Sequence, residues 1–493
     1  MFLLLFILLK IPAVQSDLAQ RATKYINNTY KTSIHIKKID LTSFPDVNLN
    51  DVVINDHHDF PFIKAKQIKT SLLNWKKIID NELLLDHITI NQLDFILKTY
   101  KDEEKQNIIV FADKFDKNKP NTENHKSFIL TTDLIKLSNT SFYLFDENKQ
   151  VKPIVYYNNI NGKIINFKVD GPNIYANIQK TSFIDNYKIE VIDFNTDFVY
   201  TSSKMLFDNL NLTTKKSFLQ TKNMVFNYTK NDLSDFNNKV QIEADITKAN
   251  ISLSDLHLFY NELGKTDIVN LTTKFKGTLN DFILKNLKLK SKNNSIINGN
   301  LHFINAINRE NGFKLNADLS NLTSDYKNLK QLLPNLLGQT LPSSFAMLGR
   351  FTIKGVSHIT TDNINAQLEI NSDLGKSISD LNITNINDID NAKYKGKIEL
   401  IDFNLSEIIK DSLVGKLSLI ADIDGKGFTR KSLNTQLKGH VTKHQYKNYT
   451  YSNIDINGVF KNQHFHGDMS VNDKNIKMTF EGLADLSKDM NSF

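Results

Sequence analysis

Cysteine is absent from this 493-residue chain, which excludes disulfide staples, thiolate catalysis, iron–sulfur clusters and Cys-ligated zinc. The compartment stays open, because a large protein of an oxidising compartment can simply avoid cysteine. Proline (8) and glycine (18) are too scarce for collagen-like or Pro/Gly low-complexity sequence. Apolar residues reach 40%, against a usual ~45–50%, so the chain can fold but has little surplus core material. Charged residues, 23% and of both signs, exclude bulk disorder. The net charge of +7 is dispersed, with no long basic run, and points to solubility rather than nucleic-acid binding. The length alone suggests about three ordinary domains.

One apolar run stands out. Phe2, Leu3, Leu4, Leu5, Phe6, Ile7, Leu8 and Leu9 are unbroken and are followed by Lys10. As a helix, Phe2–Val14 would span about 20 Å, short of the ~30 Å hydrocarbon core. It lacks the positive flank of a signal peptide, and Gln15 is a poor cleavage residue. A run apolar on all sides favours membrane over a soluble core. Two readings stay open: a signal-like segment, or part of a transmembrane anchor whose beginning is missing. Asp17 and Gln20 suggest the start of an amphipathic helix, with Leu18, Ala22, Tyr25 and Ile26 on one face.

From Ile34 onward the apolar period becomes two, as in strands. Examples are Ile88/Ile90, Leu93/Phe95/Leu97, Ile364/Ala366/Leu368/Ile370 and Gly415/Leu417/Leu419/Ala421/Ile423. The residues between are mostly Asn, Lys, Asp, Ser and Thr, so one face is apolar and the other wet. Lys101–Ser127 reads as a loop with a strand-like Ile108–Phe111, and Ile68–Ile79 as a strand end and a short helix. Few other helices are expected: one capped by Ser254, one capped by Ser324 and kinked by Pro334, and a weaker one over Asn404–Leu413. The expected fold is mostly β: an N-terminal membrane helix, then an elongated, curled antiparallel sheet forming a repeating β-groove. Its expected divisions are an anchor over 1–15, a region with amphipathic helix and strands over 16–127, and the groove over 128–493. Roughly 20 strands at about 4.8 Å would make a trough of about 100 Å, if the sheet is continuous. Its lining would include Leu301, Phe303, Leu315, Leu368, Ile398, Leu417, Leu419, Leu437, Ile456, Met469 and Met478.

Several segments resemble one family. Phe2–Ser16, the helix Leu18–Tyr30 and Val47-Asn-Leu-Asn-Asp-Val-Val-Ile-Asn-Asp resemble the N-terminal region of AsmA-like proteins. Leu348-Gly-Arg-Phe-Thr-Ile-Lys-Gly, Tyr394-Lys-Gly-Lys-Ile-Glu-Leu and Leu433-Asn-Thr-Gln-Leu-Lys-Gly are similar to the translocation and assembly module subunit (TamB) branch, in its Bacteroidota-type form. The resemblance implies an inner-membrane anchor and a periplasmic β-groove. It also implies a role in carrying phospholipid acyl chains to the outer membrane, or in assembling and secreting proteins there, with no active site and no cofactor. Family members continue past this point to meet an outer-membrane barrel of the Omp85 type, so the chain is expected to match their N-terminal part only.

Motifs for other chemistry are weak. His57-His58 sits in an Asp-rich turn, and His464-x-His466 has only Asp468 as a neighbouring third ligand, so surface turns are preferred to metal. Gly425-x-Gly427 reads as a hairpin turn, and Asp422-x-Asp424 and Asn387-Asp388-x-Asp390 also read as turns. The sequence holds no His-Glu-x-x-His, Gly-x-Ser-x-Gly or Walker A pattern. Three functions are thus weighed: a lipid conduit, a scaffold engaging nascent strands by its edges, and a glycan-active enzyme with a carboxylate pair, for which no motif speaks.

Overall fold

The computed structural model describes residues 12–43, 46–72, 82–116, 129–229, 232–260, 263–334, 343–409, 411–429 and 431–485. The apolar run Phe2–Leu9 and the stretch around Trp75 lie outside them. Among the described residues no helix is long and apolar enough to cross a membrane. The chain divides into two compact units, Met1–Lys230 and Asn231–Phe493.

The first unit opens with helix α1 (Pro12–Tyr30). It begins five residues before Asp17, which lies inside the helix and pairs with Arg21 at 2.8 Å. Tyr25, expected on the apolar face, is 70% exposed. Four strands follow: β1 (Ser33–Ser43), β2 (Asp46–Asn55), β3 (Pro61–Leu72) and β4 (Glu82–Thr99). Helix α2 (Asn107–Asp116) comes next, then β5 (Ile129–Asp146), β6 (Gln150–Asp170), β7 (Asn173–Asp185), β8 (Glu190–Tyr200), β9 (Lys204–Thr214) and β10 (Phe218–Asn227). Each strand pairs with the next, and every pair is antiparallel except β4 with β5, which is parallel. A parallel pair needs a crossover of a dozen residues or more, and the segment read as a loop supplies it. Ile108–Phe111 is therefore helical, not strand-like. A four-residue apolar run cannot choose between helix and strand by itself. Here Asn107 decides: its side chain accepts from the backbone N–H of Ile108 at 2.9 Å and of Lys98 at 3.0 Å, while Phe111 packs on the fully buried Phe62.

In the second unit the strands are β11 (Gln241–Ser252), β12 (Ile268–Gly277), β13 (Asp281–Ser291), β14 (Ile296–Ile304) and β15 (Lys314–Asp325). They continue as β16 (Arg350–Thr360), β17 (Asn363–Ser372), β18 (Gly375–Thr384), β19 (Lys393–Asn404) and β20 (Val414–Lys426). The last are β21 (Asn434–Tyr446), the short β22 (Tyr449–Tyr451), β23 (Ile454–Lys461), β24 (His464–Asn472) and β25 (Lys477–Asp485). All pairings are antiparallel between neighbours, with β21 pairing both β22 and β23. Short helices interrupt: α3 (Leu253–Leu256), α4 (Tyr326–Leu332) and α5 (Ser406–Ile409). The caps sit one or two residues from those expected. Ser252, not Ser254, precedes α3, and Asp325, not Ser324, caps α4 by accepting from the N–H of Asn328 at 2.8 Å. Pro334 follows α4 rather than kinking it. Asp422 and Asp424 lie within β20, not in a turn, and Asp424 pairs with Lys395 at 3.0 Å across to β19.

Breaks in the period-two pattern have a local cause. Gln92, Asn139, Asn159 and Lys180 sit inside strands with φ between 49° and 53°. At Asn139, Asn159 and Lys180 the pairing slips by a residue, as in a β-bulge. Asparagine tolerates the left-handed region better than most residues because its short side chain can bond locally. Gln92 separates Ile88/Ile90 from Leu93/Phe95, where the apolar set changes phase.

Glycine has a different use in the second unit. Gly355 (φ 125°) faces Leu368 on β17, and a Cβ there would lie 2.1 Å from the Gln367 carbonyl oxygen. Gly355→Val should destabilise by about 2 kcal/mol or more through backbone strain and collision. A melting temperature equal to that of the unsubstituted chain would refute this.

Asp473, after β24, fixes a corner. Its carboxylate accepts from the Tyr449 hydroxyl at 2.5 Å, the Ser452 N–H at 3.0 Å and hydroxyl at 2.8 Å, and the Asn475 N–H at 3.0 Å. The Tyr449 bond, with the others behind it, holds its pKa well below the usual carboxylate range. A depressed folded pKa gives stability that is present above the unfolded value and lost as pH falls through the folded one. The stability gap between the native chain and Asp473→Asn should thus be full near neutral pH and shrink below about pH 4, measured by denaturant titration at several pH values.

Candidate functional site: an uncharged sheet face

Directly opposed residues of an antiparallel pair project to the same side of the sheet. Register therefore shows which side chains share a face. In the second unit one row runs Leu289–Ile297–Leu322–Ile353–Ile370 across β13 to β17. Another runs Leu400–Leu419–Val441–Ile454–Val471–Met478 across β19 to β25. A third runs Phe282–Phe303–Leu315–Ile359–Ile364–Ile383–Tyr394.

All eleven residues expected to line a groove fall on this one face. Leu301 opposes Leu284 and Ala317, and Leu368 opposes Gly355 and Ser379. Ile398 opposes Ser379 and Ala421, Leu417 opposes Phe403, and Leu437 opposes Ile423 and Gly458. Ile456 opposes Gly439 and Met469. From β11 to β25 no Asp, Glu, Lys or Arg occupies a paired position on this face. His444 is there, opposite Leu417, and burial holds its pKa below the ordinary histidine value, which keeps it neutral. The charges lie on the other face, where Lys276 pairs with Glu243 at 2.8 Å and Lys376 with Glu369 at 3.1 Å.

Burial along the face is uneven. Leu419, Ala421, Val441, Ile454 and Val471 form a buried cluster, with Ile398, Leu417, Leu437 and Met469 packed against it. Every member of that cluster comes from neighbouring strands, so the packing is lateral, along one sheet. Leu315 is 7% exposed, whereas Met478, on β25, is 42% exposed. Around β11 to β15 helices do cover the face: Leu253 of α3 and Leu332 of α4 are buried with Val269, Leu287 and Ile297.

The first unit has a similar face that alternation alone did not reveal. Ile63–Phe95–Phe142–Tyr157 is one row and Ile88–Ile135–Ile164–Ile178–Thr196 another. Its aromatic rings follow one another from strand to strand: Phe95 to Phe142 at 5.9 Å, Phe142 to Tyr157 at 6.2 Å, Tyr157 to Phe183 at 5.0 Å and Phe183 to Phe194 at 6.1 Å. The bulges at Asn139, Asn159 and Lys180 shift the phase between these residues, which hides the row from a period-two count. The usable signal was an aromatic residue two or three positions from each break: Phe142 after Asn139, Tyr157 before Asn159 and Phe183 after Lys180.

The histidines of β24 are not gathered into a site. His464 Nδ1 donates to the Asn462 carbonyl (2.7 Å) and its Nε2 lies 3.6 Å from Asp485, on the polar face. No family model, curated protein or solved structure matches this chain.

Face assignment can be tested with two adjacent residues. Ala421 is 3% exposed on the uncharged face and Ile420 is 54% exposed on the other. Ala421→Asp should cost about 3 kcal/mol by burying an unpaired carboxylate, and Ile420→Asp should stay within about 0.5 kcal/mol. Equal effects in chemical denaturation would show the faces to be misassigned.

Proposed function

We propose that the chain is a lipid conduit of the bacterial envelope, held to the inner membrane through the Phe2–Leu9 region with its bulk in the periplasm, and contributing to phospholipid transport toward the outer membrane. The observation that carries this reading is the uncharged face, uninterrupted by a paired charge over the fourteen long strands from β11 to β25. At a strand spacing of about 4.8 Å it extends roughly 60 Å. An acyl chain is about half the ~30 Å hydrocarbon core in length, so several could lie end to end along it.

The energetic reason for a continuous face is simple. Each methylene exposed to water raises the free energy by about 0.8 kcal/mol, so a travelling acyl chain needs shielding at every step. One charged row would form a barrier, and none is present among the paired positions. Glycine, serine and threonine on the face leave room for a chain without charging it. The reading involves no catalysis and no cofactor.

Leu368 tests the conduit. Its neighbours Gly355 and Ser379 are small, so an aspartate there would remain partly hydrated. We expect Leu368→Asp to lose most co-purifying phospholipid, measured by extraction and mass spectrometry, with a near-normal melting transition. Retained lipid in the variant, or none in the native chain, would exclude the conduit and leave a protein-assembly scaffold as the better reading.

A further inference from the structure

At one end of the first unit, two segments far apart in sequence bring three ligand-type side chains together. The turn between β2 and β3 carries His57 and His58, and the loop after β4 carries Glu103. His57 Nε2 lies 2.8 Å from Glu103 Oε2, and His58 Nε2 lies 2.7 Å from Glu103 Oε1. All three ligand atoms fall within 4.8 Å of one another. We propose that His57, His58 and Glu103 bind a divalent transition metal of the zinc type.

The surroundings hold these groups in place independently of any ion. Asp56, 2% exposed, accepts from the backbone N–H of His58 at 2.9 Å and of Phe60 at 3.1 Å, which sets the turn. Its second oxygen accepts from the Tyr100 hydroxyl at 2.7 Å and from Asn107, fully buried, at 3.2 Å. The Tyr100 ring lies 3.9 Å from the His58 ring and 5.5 Å from the His57 ring. On the other side, Asn148 donates to the Glu103 carbonyl at 2.9 Å and accepts from the Asp102 N–H at 2.8 Å. The ligands are thus preorganised by hydrogen bonds that do not use their own coordinating atoms.

The donor set selects the ion. Two imidazole nitrogens and one carboxylate suit zinc and its neighbours, whereas magnesium and calcium prefer all-oxygen shells. Bonds of about 2.0–2.2 Å in a tetrahedral arrangement place ligand atoms ~3.3 Å apart, so each imidazole–carboxylate separation needs to widen by about half an ångström. Water can fill the fourth position, since the His58 side chain is 46% exposed. Bound metal would tie the β2–β3 turn to the loop after β4. His57 Nδ1 is buried without a hydrogen-bond partner, so a carboxylate or carbonyl does not brace that ring from behind. Ring contact with Tyr100 does so instead.

The test is titration of the full, detergent-solubilised chain with Zn²⁺, and separately with Mg²⁺, by calorimetry and thermal unfolding. We expect a Zn²⁺-dependent rise in melting temperature and a saturable site that Mg²⁺ does not fill. Glu103→Gln and His58→Gln should each weaken Zn²⁺ at least about tenfold. Should Glu103→Gln fail to fold, the exposed His58→Gln decides alone, with circular dichroism as the folding control. Absence of saturable Zn²⁺ binding, unchanged affinity in folded His58→Gln, or equal occupancy by Mg²⁺ would overturn the site.

Discussion

Register is the constraint on which the second unit depends. Strand after strand, each hairpin returns the chain so that its apolar set meets the apolar set of its neighbour, from Ile242 opposite Gly277 to Val471 opposite Met478. A one-residue slip at any pair would turn that strand's lysines and aspartates onto the uncharged face. The energetic bias against slipping is repeated at every pair, because the uncharged side offers several apolar partners; on the other side single cross-strand ion pairs such as Lys276–Glu243 and Lys395–Asp424 add to it. Apolar sets that stay matched through the register shifts at Ile246/Ala249, Leu284/Leu287, Leu319/Leu322 and Leu400/Phe403 thus support the fold and the uninterrupted face together.

The first unit keeps the same outcome by a less regular route. Its strands are longer, up to Gln150–Asp170 for β6. Left-handed residues at Asn139, Asn159 and Lys180 each insert a residue and reset the phase. Phe142, Tyr157 and Phe183 lie two or three residues from these breaks, and their rings follow one another from strand to strand across them. Threonine replaces aliphatic residues at several buried points, and the hydroxyls of Thr196 and Thr132 find carbonyl acceptors at Asp208 (2.9 Å) and Asp86 (2.6 Å).

A face packed mainly by lateral contacts differs from the interior of a sandwich. In the cluster around Leu419 and Val441 the residues touch their cross-strand neighbours, while β11 to β15 receive a helical cover from α3 and α4. The proposed conduit uses this difference: a face partly satisfied by its own neighbours can hold its fold and still offer apolar surface to a guest. The proposed metal site is separate in place and in chemistry. It sits at a turn of the first unit, on a framework of buried Asp56 and Asn107, and does not depend on the conduit.

Alternation by itself determined the β class and, within a regular strand of the second unit, which residues share a side, because period two is a local property of an extended chain. Leu368, Leu417 and Met469 could be assigned to one side before any pairing was known. What alternation could not supply was anything set by distant partners. The parallel pairing of β4 with β5 depends on a crossover that looked like a loop, and Ile108–Phe111 became helical because Asn107 is bonded to Lys98. The aromatic row of the first unit was hidden by phase shifts at the left-handed residues Asn139, Asn159 and Lys180. His57-His58 was visible in the sequence, but Glu103 was not singled out, and only the tertiary fold brings residues 45 and 46 positions apart into contact. Local periodicity reports faces; long-range closure decides which faces, and which side chains, meet.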